Sequence, residues 1–225
     1  MHAYNPTTMK RSFAAALFAV AVFSIAAFGQ ERTADAIKPA RNRVPVSYGL
    51  VVDNSGSFRL LLDKVIRLVS EIVEENGPED ETFLVTFVDT SKISLRQEFT
   101  NDTSNLRDAA ENMFIEGGQT AIIDAVKSSA DYLRENAIKD ANRVRVLILI
   151  TDGDEAKSTT TIDAVLKSLK DEKIRIFAVG LAEAKPVVKL LNRLTNETGG
   201  QMYVPRNSAE LESSVKSLNL AIRTP

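Results

Sequence analysis

Oxygen-bearing side chains are concentrated in three short segments of this 225-residue chain. The first segment, Asp53-Asn54-Ser55-Gly56-Ser57, holds a carboxylate and two hydroxyl groups within five residues. The other two are Gly117-Gly118-Gln119-Thr120 and Thr151-Asp152-Gly153. Carboxylate and hydroxyl oxygens are the ligands that hard divalent cations such as Mg²⁺ prefer. The three segments therefore predict a cation site, provided that the fold brings them together.

Each of these segments stands where a predicted strand ends or a predicted helix begins. An apolar run ending at Val52 precedes Asp53, and a helical pattern starts near Phe58. Thr120 is expected to open another helix. Asp152 follows a nearly uninterrupted apolar run, residues 144–150, which is typical of a strand buried on both faces.

Apolar periodicity divides the rest of the chain into alternating strands and helices. The predicted strands are residues 46–52, 82–88, 93–99, 144–150, 174–179 and 201–204, and the predicted helices are residues 58–75, 103–113, 120–133, 160–171, 186–195 and 208–222. The short link at residues 89–91 predicts a hairpin, which makes the third strand antiparallel. We therefore expect an α/β fold: a doubly wound, mostly parallel six-stranded sheet with one antiparallel edge strand and helices on both faces.

This fold class also predicts where a ligand would bind. In doubly wound sheets, ligands bind beyond the carboxyl ends of the strands, at the point where the strand order reverses. In the common order 3-2-1-4-5-6, that point lies between the first and fourth strands. Asp53 and Asp152 leave those two strands, so they are expected to be neighbours, with the loop before Thr120 folded over the same edge.

The order, spacing and strand context of the three segments resemble the von Willebrand factor A domain family. The resemblance covers about residues 44–222, and residues 117–125 are most similar to bacterial secreted members. All five positions of the family's metal-ion-dependent adhesion site are present: Asp53, Ser55, Ser57, Thr120 and Asp152. The resemblance implies a Rossmann-like sheet that carries a complete adhesion site of this kind.

The resemblance also implies a role for each of the five residues. Ser55, Ser57 and Thr120 would supply hydroxyl oxygens to Mg²⁺ or Mn²⁺, with Ca²⁺ as an alternative cation. Asp53 and Asp152 would bind the cation directly or through ordered water. Neutral hydroxyl ligands leave the cation strongly electropositive, so its open position favours a carboxylate. The expected partner is therefore a protein that presents an Asp or Glu side chain.

Two other functions fit the same residues. In the first, the metal site only stabilises a scaffold and binds no ligand. The second is a metal-dependent hydrolase, such as a phosphohydrolase. That chemistry usually wants a second Asp two residues after Asp53, where this chain has Ser55, and the chain has no Gly-x-x-x-x-Gly-Lys phosphate loop. We therefore expect a binding module and not an enzyme.

The first residues are typical of a signal peptide. Lys10-Arg11 precedes an uncharged stretch, residues 12–28, and the small residues Ala27 and Gly29 suit cleavage before Gln30. The alternative is an uncleaved anchor, but the apolar stretch is short for a span of about 20 residues. We expect a signal peptide at residues 1–29, a linker at 30–43 and the domain at 44–225. The protein would then be secreted or periplasmic, with no membrane association after cleavage.

Composition excludes several classes of function. The chain has no Cys and a single His, His2, which cleavage would remove, so disulfides, His-ligated zinc and His-dependent nucleophilic catalysis are not expected. The formal net charge of −2 argues against a nucleic-acid surface. With little beyond one domain, the protein is expected to be a component of a larger surface assembly.

Each segment alone also has a purely structural interpretation. The hydroxyls of Ser55 and Ser57 could cap a helix, and the two Gly-containing segments could be ordinary turns. Asp154 and Glu155 are predicted to form a solvated turn. Asp124 and Asp163 are predicted to interact with helix dipoles.

Overall fold

Five parallel strands and one antiparallel strand form a single sheet in the computed structural model, which describes residues 43–224. The strands are β1 (Val46–Asp53), β2 (Glu81–Phe87), β3 (Ile93–Thr100), β4 (Val144–Thr151), β5 (Ile174–Gly180) and β6 (Met202–Tyr203). The predicted signal peptide and all but the last residue of the predicted linker lie outside the described residues. The domain is therefore described from residue 43 onward.

Five helices of the described part lie between these strands in the chain, and a sixth follows β6. They are α1 (Leu62–Glu74), α2 (Thr103–Glu111), α3 (Ile122–Asn136), α4 (Ile162–Asp171), α5 (Val188–Thr198) and α6 (Ser208–Ala221). A short 3-10 turn, Gly56–Phe58, precedes α1. The prediction of a helix from Phe58 was therefore wrong at its start, because a separate turn separates β1 from α1.

The strand order is β3-β2-β1-β4-β5-β6, and β3 is the antiparallel edge strand. β1 pairs with β2 on one side and with β4 on the other, in parallel on both sides. The strand order reverses between β1 and β4, which is the predicted crevice. The expected fold class is confirmed.

Two apolar layers cover the sheet, because successive strand side chains point to opposite faces. On β1, Tyr48, Leu50 and Val52 pack on the face that carries α1, α2 and α6. Val51 packs on the other face, which carries α3, α4 and α5. Every residue of β1 is buried, so this strand is held rigidly from both sides.

Capping side chains mark several helix starts. Asp102 accepts a hydrogen bond from the Ser104 amide at the start of α2. Asn207 caps α6 in the same way, through the amide of Glu210. Three predicted starts were two residues early, since α3 begins at Ile122, α4 at Ile162 and α5 at Val188. None of the helices in residues 43–224 is both long and apolar enough to cross a membrane.

A buried ion pair ties the end of the chain to the edge of the sheet opposite the crevice. Arg223 Nη2 lies 2.6 Å from Asp80 Oδ2, and both side chains are at least nine-tenths buried. Asp80 also accepts hydrogen bonds from the amides of Val46 and Gly77. The start of β1 and Arg223, two residues after the end of α6, are thus held at one carboxylate.

Candidate metal centre

Asp53, the last residue of β1, lies at the centre of the candidate site. Its side chain is only 1% exposed. Oδ1 accepts a hydrogen bond of 2.9 Å from the Ser55 amide. Oδ2 accepts one of 2.7 Å from the hydroxyl of Thr151, the last residue of β4. The carboxylate is therefore fixed across the predicted crevice.

The surroundings of Asp53 work against its negative charge. Burial raises its pKa to about 6, although hydrogen bonds from Ser55 and Thr151 act in the opposite direction. The negative charge of Asp152 adds a smaller contribution to the increase. A divalent cation beside Asp53 would favour the ionised form of its carboxylate.

Ser55 and Ser57 lie in the 3-10 turn after β1, with their hydroxyl oxygens 3.1 Å apart. Ser55 is buried, whereas Ser57 is exposed. Ser55 occupies the N-cap position of the turn, but its side chain makes no capping hydrogen bond. The capping interpretation of Ser55 was therefore wrong, and the two neighbouring hydroxyls leave oxygen lone pairs for another ligand.

Asp152 follows β4 directly and is partly exposed. Its Oδ1 accepts a hydrogen bond of 3.0 Å from the Asp154 amide, and its carbonyl oxygen accepts one of 2.7 Å from the Val187 amide. Gly153 has a φ of +83°, and a Cβ there would meet the Val187 carbonyl oxygen at 2.0 Å. The backbone around Asp152 is thus packed closely against the segment after β5.

Thr120 is 7% exposed and is held through its backbone. Its carbonyl oxygen accepts hydrogen bonds from Ala156 at 2.9 Å and Lys157 at 3.1 Å, both in the segment after Asp152. The next amide, that of Ala121, donates to Val88 at the end of β2. These bonds bring the loop of Thr120 to the edge where β2 and β4 end.

Asn54 contributes to this edge through contacts that the sequence did not predict. It is 2% exposed, and its amide donates to Phe87 at the end of β2. Its side-chain Nδ2 donates to the carbonyl oxygen of Phe114 at 3.1 Å, and its own carbonyl accepts from the amide of Glu116. Asn54 thereby joins the turn after Asp53 to the loop before Thr120. No pattern in the sequence indicates a partner 60 residues away.

The predicted role of Glu155 was wrong. Its Oε2 accepts a hydrogen bond of 3.0 Å from the amide of Ile123 in the first turn of α3. Its Oε1 accepts one of 2.8 Å from the amide of Ser158. Glu155 therefore shapes the segment after Asp152 against α3, whereas the side chain of Asp154 is exposed to solvent.

Asp124 was predicted to interact with a helix dipole, but it also accepts hydrogen bonds from distant segments. Its carboxylate accepts hydrogen bonds from the Thr90 hydroxyl at 2.5 Å and from the amides of Thr159 and Thr160 at 2.8 and 2.9 Å. Burial acts to raise the pKa of Asp124, but the hydrogen bonds from Thr160, Thr90 and Thr159 outweigh it and lower the pKa below its usual range. Asp124 thus stabilises the loop that leads into α4.

The candidate donors are mostly hydroxyls. Within residues 43–224, no three His, Cys, Asp or Glu side chains come together as a group that could hold a metal. A cation at this edge would depend on the two carboxylates and on the hydroxyls of Ser55, Ser57 and Thr120. This donor set consists of oxygen alone, which fits Mg²⁺ or Mn²⁺ and does not fit a softer metal.

Solved structures share this architecture at low sequence identity. An aerotolerance-related membrane protein from Bacteroides fragilis NCTC 9343 is 19% identical with a TM-score of 0.64, over 79% of this chain and 98% of that protein. A von Willebrand factor type A protein from Catenulispora acidiphila is 15% identical with a TM-score of 0.68, over 80% of this chain and 43% of that one. The pilus adhesin SpaC from Lactobacillus rhamnosus GG is 16% identical with a TM-score of 0.60, over 81% of this chain and 30% of the adhesin.

These similarities establish the fold. No curated protein sequence matches the chain significantly. Residues 49–217, however, match the family described as the von Willebrand factor type A domain, and they include all three oxygen-bearing segments. Domains of this family are generally adhesion or protein-interaction modules, and they often bind a divalent metal. The chain belongs to the von Willebrand factor type A domain family.

Proposed function

We propose that the protein is a secreted or periplasmic binding module that recognises an acidic group on a protein partner through a divalent cation. The cation is Mg²⁺ or Mn²⁺ and the module is not an enzyme. Its ligands are the five residues of a complete adhesion site of the bacterial secreted type: Asp53, Ser55, Ser57, Thr120 and Asp152. This proposal rests on the donor set at the β1–β4 crevice and on family membership.

The observation that carries the proposal is the burial of Asp53 without a basic partner. Its carboxylate is 1% exposed, and none of the ion pairs among the described residues includes it. Buried charges in proteins are normally paired or bound to a metal. By contrast Asp80, at the opposite edge of the sheet, is paired with Arg223. A cation between Asp53 and Asp152 would supply the missing positive charge.

The donor set favours recognition over catalysis. Hydroxyl ligands do not neutralise a divalent cation, so the cation keeps a strong attraction for one more anionic oxygen. An Asp or Glu side chain of a partner supplies that oxygen, and the surrounding loops set the specificity. No His stands in residues 43–224 to act as a general base. Two of the similar structures are described as a membrane protein and a pilus adhesin, which supports a place in a surface assembly.

The test is calorimetric titration of the purified protein with Mg²⁺ and then Mn²⁺. We expect saturable one-to-one binding that Asp152→Ala abolishes. Asp154→Ala is the matched control, since it removes the same charge at an exposed position two residues after Asp152. Binding that survives in Asp152→Ala, or that is lost equally in Asp154→Ala, would contradict the assigned ligands.

A second measurement separates recognition from a purely structural metal site. A protein partner captured in Mg²⁺ should be released by EDTA, while circular dichroism shows that the domain stays folded. A rise in melting temperature with Mg²⁺ and no EDTA-sensitive partner would favour the structural scaffold instead. Turnover of a phosphate ester that Asp53→Ala abolishes would favour a hydrolase.

The boundaries of the mature protein are part of the same proposal. Cleavage before Gln30 would remove residues 1–29 as a signal peptide and leave a linker, residues 30–43, ahead of the domain at 44–225. Intact-mass spectrometry of the exported protein tests this directly. A mature chain beginning at Gln30 is expected, whereas a membrane-bound chain that keeps residues 1–29 would show an uncleaved anchor.

A further inference from the structure

Large apolar side chains are exposed at several places on the described part of the domain. They are Leu60, Leu95, Phe114, Ile138, Val187 and Leu220. Three of them, Leu60, Phe114 and Val187, belong to segments that adjoin the candidate metal ligands; we call these three the apolar rim. Large apolar side chains left exposed beside a ligand site are typical of interaction surfaces.

Phe114 is held by several contacts beside the turn that follows Asp53. Its carbonyl oxygen accepts the hydrogen bond from Asn54 Nδ2, one residue after Asp53. The guanidinium of Arg96 lies over its ring, 4.8 Å from the centroid, and is itself fixed by Glu116 at 2.7 Å. The Phe114 side chain nevertheless remains 51% exposed. It is therefore positioned by polar contacts while much of its apolar surface stays in water.

Val187 is held beside Asp152 on the other side. Its amide donates a hydrogen bond of 2.7 Å to the Asp152 carbonyl, and its own carbonyl oxygen packs against Gly153. Its side chain is 50% exposed. The segment that contains Val187 follows β5, on one side of the β1–β4 crevice. Asn54 links Phe114 to the end of β2, on the other side. Val187 and Phe114 therefore flank the candidate site from opposite directions.

Leu60 completes the apolar rim. It lies in the turn between Ser57 and α1, where the Leu61 amide donates to the Phe58 carbonyl. Phe58 is buried, but Leu60 is 76% exposed. The same short segment therefore carries two candidate hydroxyl ligands and an apolar side chain that is mostly exposed to solvent.

We propose that the partner segment is an Asp or Glu flanked by large apolar side chains, which pack on the apolar rim while the carboxylate binds the cation. This inference rests on the proposed function. A metal–carboxylate contact open to water is weakened by solvent, and apolar contacts around it exclude that water and strengthen the electrostatic attraction. Backbone hydrogen bonds already hold Phe114 and Val187 in place, so binding costs little ordering of the domain.

The test uses an array of nine-residue peptides with a central Glu or Asp and varied neighbouring residues. The purified protein is applied in Mn²⁺ and in EDTA. We expect Mn²⁺-dependent binding that favours Leu, Ile, Val, Phe or Met beside the acidic residue. Phe114→Ser/Val187→Ser should weaken binding to those peptides by about tenfold, because the variant loses the apolar contacts that exclude water from the metal–carboxylate contact.

Two comparisons keep the result interpretable. Leu220→Ser is the matched control, since Leu220 is 72% exposed but lies on α6, outside the apolar rim. Calorimetry should show unchanged Mn²⁺ affinity in the double variant, and circular dichroism should show an unchanged fold. If the double variant is unstable, Val187→Ser alone is compared in the same way, because its backbone hydrogen bonds do not depend on the side chain.

The outcomes separate this inference from the proposed function. Mn²⁺-dependent capture of acidic peptides without an apolar preference overturns the apolar rim and leaves metal-dependent recognition standing. Mn²⁺ binding with no peptide captured at all also overturns it. Failure of the wild-type protein to bind Mn²⁺ contradicts the proposed function itself.

Discussion

The hydroxyl of Thr151 donates a hydrogen bond of 2.7 Å to Asp53 Oδ2, so the last residue of β4 holds the last residue of β1. The backbone register of the two strands reaches only to Val52 and Ile150. The side-chain contact therefore extends their pairing by one residue, at the point where the candidate cation would bind. Thr151 also accepts a hydrogen bond from the Gly153 amide at 3.1 Å, which positions the segment containing Asp152.

Thr151→Val should destabilise the metal-free domain by about 1–3 kcal/mol, because the buried Asp53 carboxylate loses a donor. Urea unfolding in EDTA measures this loss. The matched control is Thr195→Val, which removes a similarly buried hydroxyl that bonds only to two carbonyls of its own helix, those of Leu191 and Asn192. The control should lose much less stability, since those carbonyls keep their backbone partners. Equal losses in the two variants would contradict a special role for the Thr151–Asp53 contact.

Gly153→Ala should destabilise the domain by more than about 1 kcal/mol, because Gly153 has a positive φ that side chains disfavour. The new Cβ would also lie 2.0 Å from the Val187 carbonyl oxygen, so the segment after β5 must move. Thermal unfolding measures the loss of stability. Mg²⁺ titration shows whether the movement of this segment also changes the metal affinity of the site that contains Asp152. Gly56→Ala is the control, since a Cβ there meets nothing within 4 Å. A Gly153→Ala variant as stable as Gly56→Ala would contradict the prediction.

The lowered pKa of Asp124 should make the stability of the domain depend on pH. Its pKa in the folded domain is lowered from the ordinary value of 3.8 by the hydrogen bonds from Thr160, Thr90 and Thr159, which outweigh the opposing effect of burial. A lowered carboxyl pKa contributes stability above the unfolded value, and that contribution is lost as the pH falls toward the folded value. The wild type should therefore lose stability relative to Asp124→Asn as the pH falls below about 4.

Urea unfolding at pH 7, 5 and 3 measures this difference. Thr90→Val keeps the Asp124 carboxylate but removes the donor at 2.5 Å, so it should reduce the pH dependence without abolishing it. A free-energy difference between wild type and Asp124→Asn that stays constant over this pH range would refute the assignment.

Breaking the ion pair of Asp80 and Arg223 should destabilise the domain strongly, and removing both charges should restore part of that stability. Asp80→Asn or Arg223→Met alone should cost about 3–5 kcal/mol, because either change leaves an uncompensated buried charge. The double variant should recover part of this loss, since both charges are then removed. Lys216→Met is the control: its partner Glu212 lies on the exposed face of α6, and we expect no measurable change. Additive losses in the double variant would contradict the pairing.

The strands and the fold class could be predicted because their signal lies in consecutive residues. The apolar run at residues 144–150 became β4, Val144–Thr151, and the hairpin link predicted the antiparallel β3. The predicted helix starts were less accurate where a distant group forms a hydrogen bond with the beginning of the helix. Thr120 was expected to open α3, but the Ala121 amide donates to Val88, and the helix begins at Ile122.

The candidate site was predicted in part. The five ligand positions follow from the resemblance of the three oxygen-bearing segments to the family's adhesion site, and they stay predictions until a metal is titrated. Glu155 was misread, because its partner Ile123 lies 32 residues away. Asn54 was given no role for the same reason, since its side chain bonds to Phe114 across 60 residues.

Apolar periodicity and the three oxygen-bearing segments are properties of neighbouring residues, and they were enough to predict a doubly wound sheet with a cation site between β1 and β4. Burial and hydrogen-bond partners depend instead on residues far apart in the chain. Only the folded domain decided that Asp53 is buried against Thr151, 98 residues away, and that Phe114 and Val187 remain exposed on either side of it. Side-chain exposure is set by packing against distant segments, which no local pattern encodes.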